Sequence, residues 1–389
     1  MTTQEDGCDD VNPSITHSIM KLLQQVVVAA QARVTQDKRN DIAAFLEDPE
    51  LPRVALVLTL SAAIPFLLNQ FGSKIITGNL NYRLAWLFVF VLNIVCVSVP
   101  GRFDGQMVDG KISVVWRSAF APSGWAFAIW GIIYLGEMLM SLYITAAPAS
   151  WDFGHTVFQA VKSSGWGSSP PAPVQTSGFN EGIKKATLYW MAGNLYQCLW
   201  CFSFRPSFKS SLYVPASLLA VGAFCLFGCH SELTNALRDG ATSQSKIALG
   251  LLRFPISLHA SWLTAASLLN FNGWAAVTAV SFEKMLALAF FSAYTAAILG
   301  GYLTITTKDA GVGLTFAWAL MALADKTSNN SDVKDVMGLV TVKALGLTEK
   351  YLSYIVAIVA VTSPVLFDAI IENSPVVLEP IIDGIKKYI

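Results

Sequence analysis

Glu137 and His259 stand inside long apolar runs of this sequence, Glu137 in FAPSGWAFAIWGIIYLGEMLMSLYIT (residues 120–145) and His259 in IALGLLRFPISLHASWLTAASLLN (residues 247–270). Aromatic residues recur around both at helical spacing. Phe127, Trp130, Tyr134, Glu137 and Ser141 fall on one face of the first run, with Trp125 at its entry, and Pro255, His259, Trp262, Ala266 and Asn270 fall on one face of the second. A third run, residues 186–204, brings Trp190, Asn194, Gln197 and Cys201 to one face. Aromatic rings with a few amides and one or two ionisable groups suit a pocket for a flat apolar ligand. In such a pocket Trp125, Phe127, Trp130, Tyr134, Trp190 and Trp262 supply ring surface. The amides of Asn194 and Asn270 fix a polar edge, and Glu137 or His259 meets a charge or a metal.

Each ionisable residue also has a plainer reading. A carboxylate near mid-span costs at least about 2.5 kcal/mol, so Glu137 points at protein, water or a ligand. A helix-packing seam in which Glu137 is protonated and bonded to a neighbouring backbone group satisfies that demand as well as a pocket does. An isolated histidine in an apolar helix is more often a packed hydrogen-bonding residue than a ligand, but His259 shares its face with Trp262 and Asn270, and both readings stay open.

Of the six cysteines, five lie in apolar runs, and Cys198-Leu-Trp-Cys201 has the spacing of a metal pair, with Cys225, Cys229 and His230 as further candidates. Antiparallel hairpin geometry separates the two groups in depth by more than ~15 Å at helical rise, so they read as buried thiols.

The elements that must carry these residues are membrane helices. The chain has 389 residues, 54% hydrophobic and 13% charged, about half the charged share of a soluble domain. At about 1.5 Å per residue, residues 120–145 are long enough for the roughly 30 Å hydrocarbon layer. Net charge is zero, and no basic stripe suggests nucleic acid. Further apolar runs are 54–71, interrupted by Pro65, which spans, re-enters or packs on the bundle; 84–99, with one amide, Asn93; 212–229, almost wholly apolar and expected to face lipid; 286–306; a short run 312–324 with Trp318; and 351–371. Pro255 is expected to kink its helix near Arg253.

The polar segments bound three regions. Residues 1–50 form a polar N-terminal block, acid-rich at its start, with apolar residues at amphipathic spacing over 15–34. Residues 51–326 form a transmembrane bundle in which 146–184 is a long polar loop, and 327–389 add one further membrane helix. The charged connection 100–117 lies in water and is placed to cap the aromatic end of the helix that follows. Lys and Arg are balanced across alternate loops, which leaves orientation and organelle open among plastid, mitochondrial and plasma membranes. The fold class is therefore all-α, a polytopic helical membrane protein.

The segment FAPSGWAFAIWGIIY resembles the second-helix signature of the translocator protein family, also called tryptophan-rich sensory proteins, through Pro122, Phe127, Trp130 and Tyr134, and is closer still to the larger bacterial branch. Asn194, Leu199 and Trp200 are similar to the third-helix pattern, Pro255, Leu258, Trp262, Ala265 and Asn270 to the fifth, and GLTFAWALMALADK to a late Trp-Ala helix of that branch. The resemblance covers roughly residues 84–326. It implies a five-helix core, here with additional N- and C-terminal helices, and a pocket of the kind in which family members bind tetrapyrroles and sterols. Two departures stand out: Ala121-Pro122-Ser123 replaces tandem prolines, and the long loop 146–184 lies outside the compact core.

The function expected is thus binding of a hydrophobic small molecule, a porphyrin, chlorin or sterol, by a sensory or carrier-like protein of the lipid bilayer. No nucleophile elbow, HExxH or phosphate loop suggests an enzyme. The alternative is an accessory structural subunit of a larger photosynthetic or respiratory membrane complex, in which His259 or Glu137 serves as axial ligand to a chlorin. A transporter ranks behind both, since the two halves hold no paired repeat.

Overall fold

In hydrocarbon every backbone N–H and C=O has to be bonded within its own segment, so the apolar runs of this chain form helices. The computed structural model describes residues 49–77, 81–103, 107–108, 111–112, 118–146, 177–238, 243–278, 281–329 and 338–373. The amphipathic stretch 15–34, most of the loop 146–184 and the tail beyond 373 lie outside the described residues. The chain divides into two compact units, Met1–Arg53 and Val54–Ile389, and the candidate pocket residues all belong to the second.

The described residues form nine α-helices: α1 (Leu51–Thr77), α2 (Asn81–Ser98), α3 (Ile129–Ala146), α4 (Ser177–Ser203), α5 (Tyr213–Arg238), α6 (Ser243–Val277), α7 (Phe282–Thr307), α8 (Ala310–Asn329) and α9 (Leu339–Asn373). Short 3₁₀ turns precede α3 (Gly124–Ala128) and α5 (Pro206–Ser211), and a two-residue antiparallel ladder pairs Met107–Val108 with Lys111–Ile112. Five segments of 22 to 27 residues are long and apolar enough to cross a membrane: α1, Gly124–Thr145, Tyr213–Ala236, α7 and Leu339–Ser363. The protein is an integral, polytopic, all-α membrane protein with helices added to a bundle core.

Three expectations are corrected. The run 212–229 does not face lipid: α5 is the most enclosed of the five spans, with 56% of its apolar window buried against 17% for α1. Its hydropathy serves helix packing, and α4 and α6 press against it on either side. At Gly193 of α4 a Cβ would come within 2.6 Å of Leu226 Cδ2 and 3.3 Å of the Gly222 carbonyl, so α4 and α5 close on each other where Gly193 faces Gly222. Pro65 does not break α1, which runs 27 residues as one helix on the bundle's outer side. The late helices are longer than their apolar runs: α8 has 20 residues and α9 has 35, beginning at Leu339. Pro255 lies inside α6.

The described start of the connection after α2 meets α4, while residues 104–106, 109–110 and 113–117 of it lie outside the described residues. Arg102 lies over the Trp200 ring of α4 at 5.6 Å and also donates to the Val97 carbonyl, while Phe103 N donates to Phe204 O at 3.2 Å.

Buried side chains gather in three principal clusters. One lies among α1 to α6, and a second among α7, α8 and α9. A third joins the 3₁₀ turn, α3, α6 and α8 through Ala126, Ile133, Trp262 and Ala322. This third cluster, with Met140 and Ile144 in the first, sets α3 against α6.

Candidate functional site

The entry to α3 is fastened from outside. Ser123 makes no cap with its own turn; its hydroxyl donates to Asp325 Oδ2 of α8 at 2.6 Å, and Ser123 N donates to Ala322 O at 2.9 Å. Trp125 Nε1 donates to the same Asp325 oxygen at 3.0 Å, and Trp318 Nε1 donates to Ala126 O at 3.0 Å, with the two indoles edge to face at 4.7 Å. Pro122 and Gly124 therefore shape a 3₁₀ turn that α8 holds in place.

From that anchor α3 runs along α6 so closely that a Cβ on Gly136 would sit 2.6 Å from Pro255 Cγ. Only a residue without a side chain lets the rigid pyrrolidine in at this depth. One residue further on, Glu137 meets His259: Oε1 and Nδ1 are 2.6 Å apart, and both side chains are wholly buried. Glu137 Oε2 and His259 Nε2 are buried with no hydrogen-bond partner among the described residues.

Aromatic rings enclose this couple. Trp130 stacks on Tyr134 (centroids 5.0 Å, planes 13° apart) and stands edge-on to His259 at 5.5 Å and to Trp262 at 6.3 Å. Phe127 meets Trp262 edge-on at 5.9 Å. Tyr134 Oη accepts from Gln197 Nε2 at 3.1 Å, and Gln197 Oε1 accepts from Asn93 Nδ2 at 2.7 Å, so a polar chain crosses from α3 through α4 to α2. Ser141 Oγ and Asn194 Oδ1 are further buried atoms without a partner among the described residues.

Seven of the ten expected site residues are thus tied to one region: Phe127, Trp130, Tyr134, Glu137, His259 and Trp262 as a connected group, with Trp125 at its rim. Three are engaged elsewhere. Trp190 stacks on Trp86 of α2 at 4.8 Å. Asn194 donates to its own helix at Trp190 O, 3.0 Å away. Asn270 donates to Ala266 O at 2.8 Å and accepts from Trp200 Nε1 at 3.4 Å. Beside Trp262, a cleft lined by Phe120, Pro122, Ala265, Ala296, Ala319 and Leu320 has about 10 Å³ of free interior, the limit for one water.

A second buried polar group was not foreseen. Asp309, in the turn between α7 and α8, accepts from Gly311 N at 2.9 Å through Oδ1, while its Oδ2 lies 2.9 Å from His230 Nε2 and 3.2 Å from Arg253 Nε. The signal available was a carboxylate in the short link KDAG between two apolar runs, which lies far in sequence from its partners. Burial pushes the Asp309 carboxyl up, but the His230 hydrogen bond, the Arg253 charge and the Gly311 amide outweigh it and hold it below its ordinary value. His230 is accordingly bonded to Asp309, not grouped with the cysteines. Among the described residues no three of His, Cys, Asp and Glu come together as a metal site, and Cys96, Cys198, Cys201, Cys225 and Cys229 are free thiols.

A family model described as TSPO-like protein matches residues 80–361. No curated protein and no solved structure matches the chain.

Proposed function

The chain belongs to the TSPO-like protein family, and we propose that this integral membrane protein binds a flat apolar ligand, a tetrapyrrole or a sterol, between α3 and α6. The observation that carries the proposal is the Glu137–His259 couple, wholly buried, enclosed by Trp130, Tyr134 and Trp262, and holding Oε2 and Nε2 unpartnered. Isolated buried polar atoms are costly, on the order of 1–3 kcal/mol each, and their survival inside an aromatic cluster fits a group kept for a ligand. The role is binding, sensory or carrier-like, without catalysis. Trp130, Tyr134, Phe127 and Trp262 supply ring surface and Trp125 a rim, while Trp190, Asn194 and Asn270 support from neighbouring interfaces.

The rings are closely packed, so a ligand enters by parting α3 from α6. Titration of the purified protein with protoporphyrin IX, followed by tryptophan quenching, tests this. Saturable quenching that weakens in Trp130→Ala is expected; absence of saturation in both proteins removes the proposal.

The accessory-subunit reading draws on α1, which precedes the matched residues 80–361 and keeps most of its surface outward. Co-migration with a larger complex on native gels of gently solubilised membranes favours it, and a single monomer band counts against it.

A further inference from the structure

Helices α2 and α4 run side by side in one direction, and a ladder of contacts fixes their register. Trp86 Nε1 donates to Thr187 Oγ1 at 2.9 Å, Asn93 Nδ2 donates to Gln197 Oε1 at 2.7 Å, and past the helix ends Phe103 N donates to Phe204 O at 3.2 Å. Between the last two rungs the Cys96 thiol of α2 comes within hydrogen-bonding reach of the Cys198 thiol of α4, with the Cys201 thiol nearby. All three are buried and unbridged. The function proposed above uses none of them.

We propose that Cys96 and Cys198 bind a soft monovalent metal ion, Cu(I), as a two-coordinate bis-thiolate that joins α2 to α4. The site is independent of the pocket between α3 and α6.

The donor set selects the ion. Thiolate sulfur is a soft ligand that favours Cu(I) over hard cations. A structural zinc ion takes four ligands, and among the described residues no three of His, Cys, Asp and Glu come together. A tetrahedral ion is therefore not provided for, whereas a closed-shell monovalent ion is satisfied by two sulfurs in line. Such an ion sits between the two sulfur atoms and needs no ligand-sized cavity.

The surroundings answer its charge. One Cu(I) with two thiolates carries a single net negative charge, which an apolar interior disfavours unless a cation stands near. The half-buried Arg102 does so: it donates to the carbonyl of Val97, next in the chain to Cys96, and lies 5.6 Å over the ring of Trp200, two residues after Cys198. Both thiols also lie within two turns of their helix ends, Ser98 and Ser203, so an ion has a short way in from that end of the bundle. Binding exchanges protons for metal. Two sulfur–copper bonds form as two S–H bonds break, both protons leave to solvent, and copper keeps its oxidation state.

The test is an anaerobic titration of the full chain in detergent with Cu(I) buffered by bicinchoninate, whose copper complex is read by its visible absorbance. Wild-type protein is expected to withdraw one Cu(I) per chain. Cys96→Ser and Cys198→Ser are each expected to weaken uptake more than about 100-fold, because loss of an outer partner alone typically costs about 10–100-fold. Arg102→Gln leaves both ligands in place and is expected to weaken it about tenfold, and Cys225→Ser to leave it unchanged. Metal-free melts confirm that each variant is folded, and Cu(I) is expected to raise the melting temperature of the wild type but not of Cys96→Ser. X-ray absorption on the copper-loaded wild type, which depends on no variant, is expected to show two sulfur neighbours. Failure of the wild type to compete with the chelator overturns the inference, as does a copper shell containing nitrogen or oxygen. Equal uptake by the wild type and by the double variant Cys96→Ser, Cys198→Ser also overturns it. Porphyrin quenching is unaffected by any of these results, so the binding site between α3 and α6 stands or falls separately.

Discussion

Trp190 and Trp86 stack at 4.8 Å with their planes 13° apart, and Trp190 Nε1 donates to the Trp86 carbonyl at 3.2 Å while Trp86 Nε1 donates to Thr187 Oγ1 at 2.9 Å. The two indoles satisfy each other's helices and close the α2–α4 interface. An indole so engaged has no face left for a ligand, which separates its role from that of Trp130, half-buried against Tyr134 and His259.

That separation is measurable. Trp190→Ala is expected to cost about 3–5 kcal/mol of stability through the cavity it leaves, and to leave the porphyrin affinity of the folded fraction within about threefold, a shift worth less than about 1 kcal/mol. Trp130→Ala is expected to show the reverse pattern, with a smaller stability loss and weaker binding. Thermal melts in detergent paired with quenching titrations decide between these patterns, and equal binding losses in both variants would place Trp190 in the pocket.

Asp309 ties α5, α6 and the α7–α8 turn together. Its carboxyl is held below its ordinary value in the folded protein, so the stability it contributes is present in full above its unfolded pKa of about 3.9 and is lost as pH falls through the lower folded value. Asp309→Asn removes the charge opposite Arg253 and is expected to cost about 3–5 kcal/mol at neutral pH. The variant's melting temperature is also expected to depend less on pH between about 5 and 2 than that of the wild type, which a pH series of melts would read directly.

Gly136 is required by the approach of Pro255. A Cβ there would lie 2.6 Å from Pro255 Cγ and 2.9 Å from its Cβ, and a pyrrolidine ring cannot swing aside. Gly136→Ala is expected to push α3 from α6, at a cost of about 1–3 kcal/mol. A disulfide-trapping pair across α3 and α6 that cross-links in the parent and fails in Gly136→Ala would report the displacement. Unchanged melting together with unchanged cross-linking would contradict the close contact.

Much of this was legible in the sequence because hydrocarbon imposes few solutions. The helical runs were plain from length and apolarity, and the common face of Phe127, Trp130, Tyr134 and Glu137 followed from spacing alone. What spacing does not carry is which helix each face meets. Apolarity says that a side chain avoids water, and lipid and a neighbouring helix satisfy that equally, so α5 read as lipid-facing although it lies between α4 and α6. For the same reason Trp190 read as a pocket wall: its face was right, but its partner Trp86 is 104 residues away. Glu137 and His259 were each identified as exceptional in their runs. That they were exceptional for each other emerged only when Gly136 and Pro255 were seen to bring α3 and α6 into contact.

The couple itself gives the sharpest energetic test. His259→Leu strands a carboxyl group in the bundle with no partner, and Glu137→Leu strands an imidazole, so each single change is expected to cost about 1–3 kcal/mol or more. Replacing both by leucine removes the stranded group along with the contact, and a buried hydrogen-bonded pair exchanged for apolar side chains of similar volume is often neutral. The double variant is therefore expected to melt above either single variant, with a coupling of about 2 kcal/mol or more between the sites. The cycle is read from unfolding in mixed micelles at one pH. Additive losses would mean that the two residues do not rely on each other, and the 2.6 Å contact would then not be the interaction that holds them buried.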